Sequence, residues 1–381
     1  MKGKTFVLLL VAAGLLAAIS FLPFGGDGQK SENLMGKKLL ADLPVNDVTQ
    51  ITIIDSDSQV TMVKGETLWS VQERNNYPAD FNELRNLVVK LSKLKIGRTF
   101  TGSKESIVRL SLSSPHATDA EGKGRQITLS DTSGKVIADV IIGETRKTES
   151  GAEGGQYVKM GDREEVFLVD AGFPFLKTSP SQWLKKEVLN VKADEIYSVT
   201  CYAGNIDTPV FSLSRPEKGE TAQLTPVPEG RTVNTSKIDQ LFDALAPLTL
   251  DDVTAVSTAQ QVEDTDRTRL VYRLYDGREI SVFPTAVDEE KYTVRLAARQ
   301  VEPTPTAKAD VEGKGPPPDE DNTVKQIEDD GSEQASEFKT AQQIDEDVRS
   351  WLFTIKKWQF DSLVTQPEML LEKVEKEGET S

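Results

Sequence analysis

The chain has 381 residues, 37% hydrophobic and 7% aromatic, enough for two ordinary cores because single cores stop growing near ~250–300 residues. Its formal net charge of −16 repels phosphate and anionic lipid within a Debye length. No basic patch with interleaved aromatics offsets that charge, so no nucleic-acid partner is expected. Cys201 is the only cysteine and His116 the only histidine, which excludes an intrachain disulfide, HExxH zinc sites and His-rich metal centres.

Lys2 and Lys4 precede an uncharged run from Thr5 to Gly26 rich in Leu, Ala and Val, and Asp27 follows it. At about 1.5 Å per residue the run spans a ~30 Å hydrocarbon layer. Positive charge before it and negative charge after it place the N-terminus in the cytoplasm and the bulk of the chain outside. Residues 1–26 are therefore expected to be a signal-anchor helix, with a linker at 27–40. A cleaved signal peptide is the main rival, and a buried cytoplasmic helix a lesser one. Against cleavage, Ser20-Phe21-Leu22-Pro23-Phe24 puts large residues where a small-x-small site belongs, and no cysteine follows for lipid attachment.

Residues 41–190 predict a first α+β unit. Asn46 to Ile53 alternates polar and apolar residues, as a half-buried strand does. Asp80 is a candidate helix N-cap, Glu83 makes a box-like pattern with it, and Leu84, Leu87, Val88, Leu91 and Leu94 line one face of a helix over 80–95. Ile127-Thr128-Leu129 and Val136 to Ile141 predict a hairpin with Gly134 at the turn, and Tyr157 to Met160 with Val166 to Val169 a second one. Trp183-Leu184 closes the unit, and the boundary falls near 185–193.

Residues 191–365 repeat the pattern. Asp194 to Cys201 is the matching strand. Moved along 154 residues, the helix recurs over 234–248, with Asn234 at the cap and Ile238, Leu241, Phe242, Leu245 and Leu248 at the same spacing. Tyr272 to Leu274 and Ile280 to Val282 repeat the hairpin with Gly277 at its turn. Trp351-Leu352 is set against Trp183-Leu184. The fold class predicted is α+β: two tandem copies of a mainly antiparallel sheet with one packed helix each, preceded by a single transmembrane helix.

Residues 301–337 have no counterpart in the first unit. They hold five prolines, no aromatic residue, and eleven Asp or Glu against three Lys, which is half the net charge of the chain. Such a composition does not bury enough apolar surface to offset ordering entropy, so the segment is expected to be a disordered insertion at the tip of a hairpin between Tyr292–Ala297 and Glu337–Ala341. Replacing 301–336 with a short Gly-containing turn should then move the unfolding temperature by only a few degrees in calorimetry; collapse of the fold would overturn this. A charged tail at 366–381, helical over 367–377, ends the prediction.

Leu43-Pro44-Val45-Asn46-Asp47-Val48, Leu68-Trp69-Ser70-Val71, Tyr77-Pro78-Ala79-Asp80 and the Trp183-Leu184 closure together resemble the bacterial domain of unknown function 4340, over roughly residues 40–300 and 338–365. The resemblance implies a membrane anchor, tandem copies, and association with ABC-type transport systems related to gliding-motility components. With residues 1–26 it implies a single-pass protein of the bacterial inner membrane whose bulk is periplasmic. It carries no catalytic residue, and the acidic insertion is not part of the pattern.

The residues with chemical potential all have plainer explanations. His116 follows Ser113-Ser114-Pro115 in a polar loop, and Cys201 sits at an inward strand position, which suits a buried small side chain. Ser92-Lys93-Leu94-Lys95 has the SxxK form of some acyl-enzymes but lacks the companion motifs. Asp319-Glu320-Asp321 lacks the glycine-turn spacing of a calcium loop. Trp69, Trp183, Trp351 and Trp358 are assigned to packing ahead of glycan stacking, and Asn234-Thr235-Ser236 to a helix cap ahead of a glycosylation sequon. No catalytic, cofactor-binding or metal-binding residue is assigned. The expected function is a non-enzymatic extracytoplasmic adaptor whose partners are membrane or envelope proteins such as ABC-type subunits. The alternative is an envelope-ligand binder taking glycan or peptide in the groove between the units; an enzyme of unfamiliar type is the third reading.

Overall fold

The computed structural model describes residues 34–118, 121–147, 153–204, 206–256, 268–303 and 339–373. The expected anchor at 1–26, most of the linker, the insertion from 304 onward with its Asp319-Glu320-Asp321 cluster, and the last residues of the tail lie outside them. Among the described residues no helix is long and apolar enough to cross a membrane.

The first strands are β1 (Gln50–Ile54), β2 (Gln59–Lys64), β3 (Trp69–Val71) and β4 (Tyr77–Pro78), followed by helix α1 (Phe81–Lys93). After it come β5 (Ile96–Thr101), α2 (Lys104–Arg109), β6 (Arg125–Ser130), β7 (Val136–Lys147), β8 (Glu153–Met160) and β9 (Glu165–Val169). Among the described residues nine strands make one antiparallel sheet in the order β4-β3-β2-β1-β6-β7-β8-β9-β5. The β1 alternation sets the register: Ile51 faces Met62 and Leu129, Ile53 faces Val60 and Ile127, and all are buried. Each such side chain stabilises by about 1.5–3 kcal/mol relative to exposure.

Helix α1 starts where expected because the Asp80 carboxylate accepts from the Asn82 and Glu83 N–H groups at 3.0 and 3.1 Å. Glu83 does not close a capping box. The Asp80 N–H donates instead to the Trp183 carbonyl at 2.8 Å, and the Glu83 carboxylate is left to pair with Lys177 at 2.9 Å. The stripe Leu84, Leu87, Val88, Leu91 and Leu94 is buried as its spacing requires.

The chain continues through β10 (Glu187–Leu189), β11 (Ile196–Tyr202), β12 (Phe211–Ser214), β13 (Gln223–Thr225) and β14 (Arg231–Val233) to helix α3 (Thr235–Asp243). Next come β15 (Leu248–Thr249), β16 (Asp252–Ala255), β17 (Arg269–Leu274), β18 (Arg278–Ala286) and β19 (Tyr292–Gln300). Helix α4 (Ala341–Val348), β20 (Trp351–Ile355), helix α5 (Lys357–Leu363) and β21 (Leu371–Lys373) complete it. Among the described residues eight strands form a second sheet, ordered β13-β12-β11-β17-β18-β19-β20-β16. That order follows the first sheet when β13-β12-β11 is set on β3-β2-β1, β17-β18-β19 on β6-β7-β8, and β20-β16 on β9-β5. The chain is thus sheet-rich α+β, mainly antiparallel.

Five expectations are corrected. Neither half keeps to the single helix expected of it: α2 follows α1 in the first, and α4 and α5 join α3 in the second. Helix α3 ends at Asp243, so Leu245 and Leu248 reach the core from a turn and from β15. The partner of β19 is β20, with Tyr292 opposite Ile355 and Arg295 opposite Leu352; Ala341, expected in that strand, begins α4, and Glu337 lies outside the described residues. The physical reason is the spacing of Ala341, Ile344 and Val348, which buries one helical stripe behind a Thr340 cap and its Gln343 box. Trp351 therefore sits in a sheet strand, whereas Trp183 ends a short 3-10 turn after β9, so the two do not correspond. The expected tail helix is instead a 3-10 turn, Pro367–Leu370, leading into β21, which pairs with β14.

Gly277, at the β17–β18 turn, has φ +85°, and a Cβ there would run into the Val301 carbonyl, whose own N–H donates to Gly277 O at 2.8 Å. Gly134 has φ +80° with open space around it. Gly277→Ala should therefore cost about 2–3 kcal/mol and Gly134→Ala about 1 kcal/mol in urea titrations. Equal costs would show that the Val301 contact is immaterial.

Candidate functional site

Among the described residues the larger of two apolar clusters runs through both sheets and joins at the seam between them, while Leu112, Ile141 and Val166 form a smaller one of their own in the first half. Tyr77, at the edge of the first sheet, is 5% exposed and inserts its ring edge-on against Trp351 (5.1 Å, 88°) and Phe353 (6.2 Å, 76°) of β20. Beside it, Arg74 makes a two-pronged contact with Asp252 of β16: Nε at 2.5 Å and Nη2 at 2.9 Å. Lys186, from the connecting segment, donates to the carbonyls of Ser181 (2.7 Å) and Asp251 (2.9 Å), one on each side. Burial pulls its ammonium below the ordinary lysine value.

Partial burial of Asp252 works to raise its carboxyl, but hydrogen bonds from Arg74 and the Val253 N–H outweigh this and hold it below the ordinary carboxylate range. A carboxyl depressed on folding contributes stability above its unfolded value near ~3.9 and loses it as pH falls through the lower folded value. Asp252→Asn should accordingly flatten the acid limb of stability below about pH 4. An unchanged acid limb would remove this pair from the account.

A cleft of about 460 Å³ opens where the connecting segment 185–195 meets the start of α4. Lys185, Lys192, Lys218, Arg278 and Lys339 line it with Glu187, Asp194 and Glu195, over a floor that includes Leu189, Val191 and Ile344. Arg278 is 8% exposed and fixed by Asp276 (Nε, 2.7 Å) and Glu195 (Nη2, 3.0 Å), while Nη1 reaches the Lys339 carbonyl at 3.4 Å. The basic excess suits an anionic group held by charge-assisted hydrogen bonds.

The singled-out residues are not brought together. Cys201 is buried in β11, where desolvation pushes its thiol up to about 11. The folded protein should therefore resist iodoacetamide at pH 7.5 and react only on unfolding; rapid labelling would contradict the burial. His116 is exposed, its N–H donating to Ser114 Oγ at 3.3 Å. The Ser92 hydroxyl donates to the Val89 carbonyl at 2.9 Å, and Lys95 is exposed. Asn234 caps α3 by accepting from the Lys237 N–H at 3.1 Å. Trp183 is buried, Trp69 and Trp351 are half-buried, and Trp358 is 61% exposed. No group of three or more His, Cys, Asp or Glu among the described residues is placed to hold a metal. Arg74 and Asp252 escaped sequence reasoning because 178 residues separate them, and ion pairs at that distance leave no periodic signal.

No curated protein and no solved structure matches the chain significantly. A family model described as Domain of unknown function (DUF4340) matches residues 69–270, from β3 into β17 and so across the seam. That is a little over half of the chain, which therefore belongs to the DUF4340 family.

Proposed function

We propose that this protein is a non-enzymatic adaptor, tethered to a membrane by residues 1–26 with its sheets on the extracytoplasmic side, serving an ABC-type transport or cell-envelope complex. The seam is the observation that carries this reading. Two broad sheets joined by Tyr77, a bidentate Arg74–Asp252 pair and a shared core offer a surface wide enough to contact more than one neighbour. The Lys2, Lys4 and Thr5–Gly26 pattern supplies the tether. The common strand order supports treating the two sheets as copies of one unit, with the duplication doubling the docking surface. Affinity isolation from solubilised membranes should recover ABC-type membrane subunits; a chain that purifies alone, from the soluble fraction, would sink the proposal.

The second reading is an envelope-ligand binder, favoured by the cleft at 185–195 with its basic rim. Since no tryptophan lines that cleft, backbone amide shifts of Lys192 and Lys218 on titration with acidic cell-wall fragments are the readout, and unmoved shifts would remove it.

A further inference from the structure

One face of the second sheet is shallowly hollowed among the described residues. In the middle, Val271 of β17, Ser281 of β18 and Ala297 of β19 lie in one row across the strands, Val271 opposite Ser281 and Ser281 opposite Ala297. These small side chains floor a cavity of about 180 Å³. Arginines stand on both sides of the row. On one side Arg273 and Arg299 flank Glu279, each directly opposite it in the ladder, and the Arg299 guanidinium, 72% exposed, reaches the Glu279 carboxylate at 2.5 Å. On the other side Arg269 lies 4.6 Å over the Tyr202 ring and Arg295 lies 5.7 Å over Phe283.

Among the described residues Arg269, Arg273 and Arg299 set three guanidinium groups against the one carboxylate of Glu279, a local excess of positive charge in a chain whose total is −16. From strand geometry the paired arginines are about 10 Å apart across two strands, and the two rows about 13 Å apart along them. That spread is too wide for one phosphate and suits a polymer with repeated anionic groups. Both aromatic rings are already covered by guanidinium, so neither offers a free face for sugar stacking. A guanidinium stacked on a ring still presents its N–H edge to a carboxylate. The rim also accepts peptide: Arg273 Nη2 donates to the main-chain carbonyl of Glu302 at 3.0 Å, and its buried Nε has no hydrogen-bond partner among the described residues.

We propose that this trough docks an extended acidic polypeptide of a partner protein, its carboxylates held by Arg269, Arg273 and Arg299 and its backbone lying on the Val271–Ser281–Ala297 floor. The proposal goes beyond the adaptor reading and does not depend on which membrane complex the chain serves.

The test uses the full chain in mild detergent and a fluorescein-labelled dodecapeptide of alternating Glu and Ser, read by anisotropy. Binding should weaken about tenfold between roughly 50 and 200 mM salt, as charge-assisted contacts with several carboxylates require. Arg269→Gln/Arg299→Gln should weaken it about tenfold or more. Ala297→Leu fills the floor while keeping every charge, and should weaken it about fivefold. Should the double variant fail to fold, Ala297→Leu and the salt series on the unaltered chain still decide. Peptide affinity unchanged in folded variants overturns the proposal. So does equal affinity for polyglucuronate of matched charge, or for phosphatidylglycerol vesicles, since either makes the face a general polyanion surface. Binding seen only after deletion of 304–338 assigns the trough to this chain's own acidic segment and overturns the partner docking. Loss of membrane-subunit capture with peptide binding intact would instead count against the adaptor reading alone.

Discussion

Tyr77→Ala is expected to lower the unfolding free energy by about 3–5 kcal/mol, the range for deleting a large buried aromatic ring. It should also split one cooperative transition into two. The ring is an apolar contact between the sheets, packed edge-on against Trp351 and Phe353, and such pairs contribute about 0.5–1.5 kcal/mol beyond their buried area. Without it the seam keeps the Arg74–Asp252 pair, Lys186, and the main-chain bonds of the connecting segment, Lys185 N–H to the Pro78 carbonyl at 2.9 Å and Leu250 N–H to the Lys186 carbonyl at 3.0 Å. Asp252 is 37% exposed at its side chain, and partly exposed ion pairs contribute little. Tyr77→Phe keeps the ring and should stay within about 0.5 kcal/mol of the parent. Urea unfolding followed by tryptophan fluorescence and far-UV dichroism distinguishes the outcomes. Coincident curves for Tyr77→Ala, with a loss under about 1 kcal/mol, would show that the two sheets do not depend on this contact.

Tyr272→Ala should be as damaging, about 4–5 kcal/mol, because it removes a fully buried ring from the centre of the second sheet and a hydrogen bond as well. Tyr272 lies between Val199 of β11 and Ile280 of β18, and its hydroxyl donates to the Leu241 carbonyl at 3.0 Å, tying the last turn of α3 to the sheet. Tyr272→Phe isolates the bond and should cost about 1–2 kcal/mol. Burial holds the Tyr272 phenol well above the ordinary tyrosine value. For a group raised on folding, the stability is present below the unfolded value near ~10 and lost as pH climbs toward the folded one. Tyr272→Phe should therefore lessen alkaline destabilisation above about pH 10; an identical alkaline limb would place the titrating groups elsewhere.

Helices α1 and α3 are legible because their signals are local: a capping side chain and apolar residues at three- and four-residue spacing. The β6–β7 and β17–β18 hairpins were legible for the same reason, alternation broken by a glycine turn. The last strand of the second sheet was misplaced, because α4 stands between β19 and its partner and matching tryptophans suggested a false correspondence. The β14–β21 pairing was missed because Arg231 and Lys373 are far apart in sequence and each strand has only three residues. Long-range charge pairs such as Arg74–Asp252, and the arginine face across β11, β17, β18 and β19, depend on strand order, which no single segment encodes.

That late pairing has a consequence for synthesis on the ribosome. The first sheet holds all its strands once Val169 has emerged, and chains grow at about 5–20 residues per second, folding N-terminal units first. The second sheet waits for β20, and Asn234, the cap of α3, has its N–H held by the Leu370 carbonyl at 2.8 Å. Through the intervening ~180–200 residues, some tens of seconds at the slower rate, Tyr77 must wait with its ring uncovered. This nascent stage is when a chaperone has an apolar surface to hold and when a neighbouring chain can compete for it. Slowing translation between residues 185 and 350 should therefore raise aggregation of the unaltered chain more than of Tyr77→Gln.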